Sequence, residues 1–184
     1  MIAVAVAFLL GCFTWTLLEY VIHRWAGHDK RFTKNLFAKE HIRHHVEGDY
    51  FAPWWKKALA ALAILGILTG PAVLVTSLWT GIAWTSGIVG FYLFYEILHR
   101  MLHVHAGFFG YGRWARRHHF YHHFVDARFN HGVTSPIWDH VFGTHRTPEV
   151  ITVPAKLMMP WLGDPKTGVR PEFAGTFALK KKAA

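Results

Sequence analysis

Residues 58–98 carry one charged side chain, Glu96, and residues 2–18 carry none. A helix that crosses a bilayer needs roughly 20 consecutive apolar residues. The longer stretch therefore has room for two spans and the shorter, continued a few residues, for one. The expected spans lie near residues 2–22, 58–79 and 82–98. Thr80 and Gly81 are the expected turn between the second and third. Gly70-Pro71 is expected to kink the second span, because proline removes a helical hydrogen bond. Helices of a small soluble protein would show polar faces, and these stretches show none. A cleaved signal peptide would carry a basic leader, whereas this N-terminal stretch runs straight into histidine-bearing sequence. A shallow hairpin over residues 58–98, dipping into the bilayer and returning, is the remaining alternative.

Charge sets the orientation. Every Lys and Arg lies at Arg24 or later, and none lies between Lys57 and Arg100. The two polar segments therefore share one side, which the positive-inside rule makes cytoplasmic. The net charge of +9 flanks apolar spans, as at Lys56-Lys57, so contact with anionic headgroups is expected and nucleic-acid binding is not. The single cysteine, Cys12, lies inside the first span and excludes an internal disulfide, a zinc finger and an iron–sulfur cluster.

Ten of the fifteen histidines fall into four clusters: HRWAGH (His23, His28), HIRHH (His41, His44, His45), HRMLH (His99, His103) and HFYHH (His119, His122, His123). Each cluster is expected to present its members on one helix face, because residues three and four apart are neighbours. Imidazole is the commonest metal ligand among side chains. Ten imidazoles exceed what one ion binds, so two ions are expected. The alternative is a set of ordinary core or exposed histidines, which four near-repeating clusters disfavour.

A nitrogen-rich, cysteine-free site suits a borderline metal, and two such ions suggest hydrolysis or oxygen activation. Soluble di-iron bundles use two Glu-x-x-His pairs and further glutamates; here only Glu96-Ile-Leu-His99 fits. Catalytic zinc takes about three protein ligands, and HExxH and GxSxG are absent, so a hydrolase is the weaker reading. Glu19, four before His23, and Glu96, three before His99, are placed to accept a hydrogen bond from a ligand imidazole. Otherwise both simply mark span ends.

The four histidine motifs in this order resemble the signature of the fatty acid hydroxylase and sterol desaturase superfamily of membrane di-iron oxygenases. Residues 130–144, NHGVTSPIWDHVFGT, are similar to its closing motif, so the resemblance covers residues 19–144. It implies metal ligation by His23, His28, His41, His44, His45, His99, His103, His119, His122 and His123. It implies supporting roles for Asn130, Trp138 and Asp139. His131 stands where the pattern often has an aromatic or apolar residue, and is expected behind the ligands or against substrate. His105, His118, His140 and His145 are expected to be bystanders, His118 the least clearly because it adjoins a ligand.

The resemblance implies an all-α fold: an integral membrane helical bundle, with a histidine-rich cytoplasmic cap over residues 23–57 and 99–150 holding a dinuclear site. Residues 1–150 would form this unit and residues 151–184 an extension ending in a basic tail at Lys180, Lys181 and Lys182. The implied cofactors are two iron ions, exchangeable for zinc on purification, with dioxygen as co-substrate. The implied reaction is hydroxylation of a lipid C–H bond. A fatty-acyl chain is the first substrate, a carotenoid ring the second and a sterol-type oxidation or desaturation the third. A membrane metal-binding protein without catalysis is the non-enzymatic alternative. Phe51, Trp54, Trp55, Phe91, Tyr92 and Tyr95 are candidates for an entry groove, against an ordinary packing and interface role. With no flavin or nicotinamide fingerprint and no fused haem domain in this chain, electrons are expected from a ferredoxin or cytochrome b5-like protein. Arg113, Arg116, Arg117 and Arg128 are candidates to attract it, or to bind lipid phosphates. The small size suits a bacterial inner membrane.

Overall fold

The computed structural model of the protein describes residues 1–107, 109–147 and 149–180. Lys181 and Lys182 of the expected tail lie outside these. The fold is mostly helical, and three helical stretches are long and apolar enough to cross a membrane. The first is α1, Ile2–Val21, which runs without a break into a π-helical turn, Ile22–His28. The others are α3, Trp54–Val75, and α4, Leu78–Val104. Between the π-helical turn and α3 comes α2, Leu36–Glu47, and after α4 come α5, Gly110–Phe124, and the short α6, Ile137–Val141.

The apolar helices pack through glycine. A Cβ on Gly11 would lie 2.0 Å from the Trp84 carbonyl oxygen, and one on Gly87 would lie 2.1 Å from that of Phe8. Helices in lipid gain from such close approach because no hydrophobic force drives them together. Deeper along the same contact, Trp15, Ile88, Tyr92 and Ala61 are buried, with the Trp15 and Tyr92 rings 4.9 Å apart.

The α3–α4 turn is at Thr76 and Ser77, not at Thr80-Gly81. Gly81 lies inside α4, where a Cβ would meet the Val73 backbone nitrogen at 2.6 Å. It is there so that α3 and α4 can touch. Pro71 sits within α3, which continues to Val75. Both spans begin four residues earlier than their hydropathy edges suggested, because helices end on hydrogen bonds and caps rather than at the edge of an apolar run. The 27 residues of α4 reach about 40 Å, past the roughly 30 Å hydrocarbon thickness. His99 and His103 sit in its last turns.

Two local signals shape α2. Asn35 caps its start, accepting from the Ala38 N–H at 2.8 Å, and Gly48 ends it at φ 73°. Only glycine adopts that left-handed conformation without steric cost.

Among its described residues the C-terminal extension carries short strands and two 3₁₀ turns rather than α-helix, which corrects the all-α expectation there. It holds a parallel strand pair, β1 (Ile151–Val153) with β4 (Phe177–Leu179), and a hairpin of β2 (Gly163–Asp164) and β3 (Gly168–Val169). Prolines at 154, 160, 165 and 171 interrupt any helix there. Ile151, Val153, Leu162 and Phe177 pack with Phe120 and Phe124 of α5 in one core. The extension thus braces the face of α5 that turns away from its histidines.

Candidate metal centre

The ten motif histidines converge as two groups of five. His23, His28, His41, His45 and His122 form the first; His44, His99, His103, His119 and His123 form the second. Within each group the candidate nitrogen atoms all lie within 4.8 Å of one another. The groups adjoin: the His45 and His123 rings, one from each, stack at 3.9 Å with 4° between their planes.

Helix geometry explains who goes where. In α2, His41 and His45 are four apart and serve the first group, while His44 turns to the second. In α5, His119 and His123 are four apart and serve the second group, while His122 turns to the first. Each HxxHH motif therefore bridges both groups, in opposite senses. His99 and His103, four apart on α4, complete the second group. HRWAGH is different. Residues five apart lie about 140° apart on an α-helix, so the expected shared face does not exist in that geometry. The π-helical turn Ile22–His28 has i→i+5 hydrogen bonds and brings His23 and His28 onto one side.

Several inner nitrogens face one another. In the first group His28 Nε2 is 2.8 Å from His41 Nε2 and 2.9 Å from His122 Nε2. In the second, His44 Nε2 is 3.0 Å from His99 Nε2, and His103 Nε2 is 3.1 Å from His119 Nε2. Three outer nitrogens are held by backbone: His23 Nδ1 donates to the His131 carbonyl, His44 Nδ1 to that of Tyr50 and His122 Nδ1 to that of Phe129. That arrangement selects the tautomer whose inner nitrogen carries a lone pair. Both ring nitrogens of His123 and the Nε2 of His23 are buried without a hydrogen-bond partner among the described residues. An unpaired buried polar atom costs about 1–3 kcal/mol, so this donor set fits a bound cation far better than a self-contained network.

Burial, reinforced by neighbouring imidazoles, holds His41, His45, His119, His122 and His123 well below the usual imidazole value of 6.5. Burial lowers His44 to about 4. Neutral imidazole is the metal-binding form.

A buried polar layer supports the first group. Glu19 accepts from the Val133 and Thr134 N–H groups and from the Thr134 hydroxyl, and so clamps this loop to α1. It does not bond His23 directly, as the spacing had suggested. Asp139 accepts from the N–H groups of His131 and Gly132 at 2.9 and 2.8 Å, from Thr144 Oγ1 at 2.7 Å and from His118 Nε2 at 3.1 Å. Burial would raise its carboxyl, but these donors outweigh burial and hold it below the usual range. Asn130 is buried at φ 57° and bridges the Arg146 backbone and the His118 carbonyl. His131 is buried with its ring edge-on to His122, 5.2 Å between centroids, and its carbonyl orients His23. Trp138 is more remote: its Nε1 donates to Thr16 Oγ1 at 2.9 Å and ties α6 to α1.

Other expectations fall differently. Glu96 pairs with Lys57, not with His99. His118 serves Asp139; His140 and His145 stack on each other at 3.9 Å, outside both groups, as does His105 at the end of α4. Arg116 is mostly buried, donating to the carbonyls of Leu102, His105 and Ala106 and stacking on Trp161. Arg128 pairs with Asp126. Arg113 and Arg117 line a cleft of about 870 Å³ with Arg146, His145 and Glu172. Of the aromatic candidates, Phe51 lies 5.0 Å from the His44 ring and 5.8 Å from those of His99 and His103, and Tyr95 stacks on His99 at 5.6 Å. Tyr92 is core, Phe91 packs on Phe94, and Trp54 and Trp55 are exposed. The backbone carbonyls that hold the outer nitrogens have no sequence signature.

Known proteins are similar to this chain. The family model for fatty acid hydroxylase matches residues 8–144. The ceramide very long chain fatty acid hydroxylase scs7 of Schizosaccharomyces pombe is 33% identical over 143 residues, 74% of this chain and 41% of that protein. Human fatty acid 2-hydroxylase is 30% identical over 156 residues, 77% and 40% of the two chains. The dihydroceramide fatty acyl 2-hydroxylase FAH2 of Arabidopsis thaliana is 32% identical over 158 residues, 78% and 61%. A solved structure of full-length scs7p, with only the hydroxylase domain visible, superposes with a TM-score of 0.61 at 25% identity, covering 80% of this chain and 58% of that one. This chain thus spans less than half the length of the fungal and human relatives. With its histidine motifs and closing motif inside the matched segment, it belongs to the fatty acid hydroxylase family.

Proposed function

We propose that this chain is a membrane-bound non-haem di-iron oxygenase that hydroxylates a C–H bond of a fatty-acyl chain. The observation that carries the reading is the pair of adjoining five-histidine groups where membrane-length helices emerge from their apolar layer. All ten motif histidines would be ligands, one ion to each group. Two iron ions held there would supply dioxygen activation, in which a C–H bond, dioxygen, two electrons and two protons become an alcohol and water. The relatives are named as fatty acid, ceramide and dihydroceramide hydroxylases, which favours an acyl chain over a carotenoid or sterol, and hydroxylation over desaturation. Those named 2-hydroxylases favour the carbon beside the acyl carbonyl.

The residues of this chain do the positioning. Carbonyls of residues 50, 129 and 131 orient three imidazoles. Asp139, Glu19 and Asn130 hold the loop that provides two of those carbonyls. Phe51 and Tyr95 pack their rings against imidazoles of the second group and give it an apolar border. The substrate is dissolved in the bilayer and enters sideways. The charge distribution supports a cytoplasmic metal site. Electrons come from a separate carrier, a ferredoxin or a cytochrome b5-like protein, and the arginine-lined cleft at Arg113, Arg117 and Arg146 suits an acidic one.

Two measurements test this. Lipid extracts of a host with and without the gene should differ by a fatty-acyl species heavier by one oxygen. Elemental analysis of purified protein should find about two metal ions per chain, zinc standing in for iron after overexpression. Two metals with no new oxygenated lipid would favour a metal-binding protein without catalysis. Metal near zero in several preparations would sink the site itself.

A further inference from the structure

The Arg100 guanidinium lies 5.0 Å from the Phe51 ring centroid, and that ring contacts His44, His99 and His103 of the second group. Arg100 is exposed and has no carboxylate partner among the described residues. Glu96, one turn before it on α4, is taken by Lys57. Apart from Glu96 and its partner Lys57, whose Nζ also lies 5.8 Å from the Phe51 ring centroid, this face of α4 is apolar and uncovered: Leu93 is 48% exposed, Ile97 65% and Val104 50%. These positions recur at intervals of three and four, so they form one stripe that contains Arg100. The stripe runs from the bilayer-facing middle of α4 to the level of the second histidine group.

We infer that Arg100 is the head-group anchor of the substrate and that its ligand is the carboxylate of a free fatty acid. Arginine presents paired N–H donors that match a carboxylate, and it is weakly hydrated enough to work at a membrane edge. The acyl chain lies along Leu93 and Ile97, where apolar chains are already dissolved. The geometry selects among oxyanions. Arg100 to Phe51 and Phe51 to His44, laid end to end, are the most that can separate the guanidinium from the His44 ring. A carboxylate on Arg100 has its neighbouring carbon one bond away, within that same span of the second histidine group. A phospholipid phosphate held there would put its nearest acyl carbon several bonds further off. The inference rests on the hydroxylase reading for its consequence, but the binding step does not need the metals.

The test uses the full chain in phosphatidylcholine nanodiscs, with empty nanodiscs subtracted. Palmitate, palmitamide and phosphatidic acid compete with a fluorescent fatty acid. Arg100→Gln should weaken palmitate by at least about tenfold, the size of one charge-assisted pair, and leave palmitamide unchanged. Arg100→Lys should keep a large part of the affinity, and Lys166→Gln all of it. Metal content should stay that of the wild type in Arg100→Gln, which separates anchoring from misfolding. In turnover, the product of Arg100→Gln should spread from the carbon beside the carboxylate to others along the chain. Equal palmitate affinity in wild type and Arg100→Gln overturns the anchor. Equal losses for palmitate and palmitamide overturn it too, as does competition by phosphatidic acid at palmitate's strength. Arginine-dependent palmitate binding without any hydroxylation would keep the anchor and sink the hydroxylase reading.

Discussion

The two histidine groups hold five imidazoles each but are built by different means. The second comes from regular α-helices: pairs four apart on α4 and on α5, plus His44 of α2. The first draws two of its five from a π-helical turn. Two of its outer nitrogens rest on carbonyls of the loop around residues 129–131, which Glu19, Asn130 and Asp139 hold in place. One site follows from helical periodicity. The other depends on a buried polar layer supplied from distant parts of the chain. Two sites of equal composition can therefore differ in how they fail.

The largest effects should come from the proposed ligands. His28→Ala and His119→Ala should each lower hydroxylation by more than about 100-fold, beyond what loss of an outer partner costs. Elemental analysis should find that each variant keeps about half the metal. If either single variant lost both ions, the two groups would be one cooperative site and the comparison would collapse.

Asp139→Asn should discriminate between the groups. The amide cannot accept from four donors at once, so the loop carrying the His131 carbonyl should loosen. A drop of about 10–100-fold in metal affinity is expected at one site, with the other unchanged. A uniform loss at both sites would show that the polar layer supports the whole centre.

Acid should destabilise the metal-free chain. The folded-state value of His44 lies at about 4, below 6.5, so the unfolded state binds more protons between those values. The stability this group contributes is present above 6.5 and is lost as pH falls towards 4. His41, His45, His119, His122 and His123 shift in the same direction. Melting temperature should fall over this window and recover much of its value when metal is added. A flat profile in the metal-free protein would mean that the imidazoles are already solvated.

The smallest effect should come from Arg128→Gln. Its ion pair with Asp126 is exposed to solvent and screened, so this change should leave the melting temperature nearly unmoved. A larger change by thermal unfolding would reveal that the loop before Asn130 depends on that pair.

Much of this molecule was legible in its sequence. Residues 58–98, with one charge, could hardly be other than membrane-length helix, because exposed backbone cannot survive in lipid outside helices and closed barrels. The ten histidines that converge are the ten in the motifs, and the pairs four apart (41/45, 99/103 and 119/123) share a group because that spacing stacks side chains on one helix face. What periodicity could not reach was anything decided between segments. The π-helical turn that rescues HRWAGH, the loop clamp made by Glu19, the Lys57 partner of Glu96 and the burial of Arg116 all depend on contacts far apart in the chain. The same holds for Gly81, which resembles a turn residue until the α3 backbone lies against it. The short strands after residue 150 carry too little alternation to read, and form because Ile151, Val153 and Phe177 find the back of α5. Local repulsions and periodicities act within a few residues and are written in order along the chain. Partners for buried polar groups are chosen only once the helices have met, and the order of residues does not record that meeting.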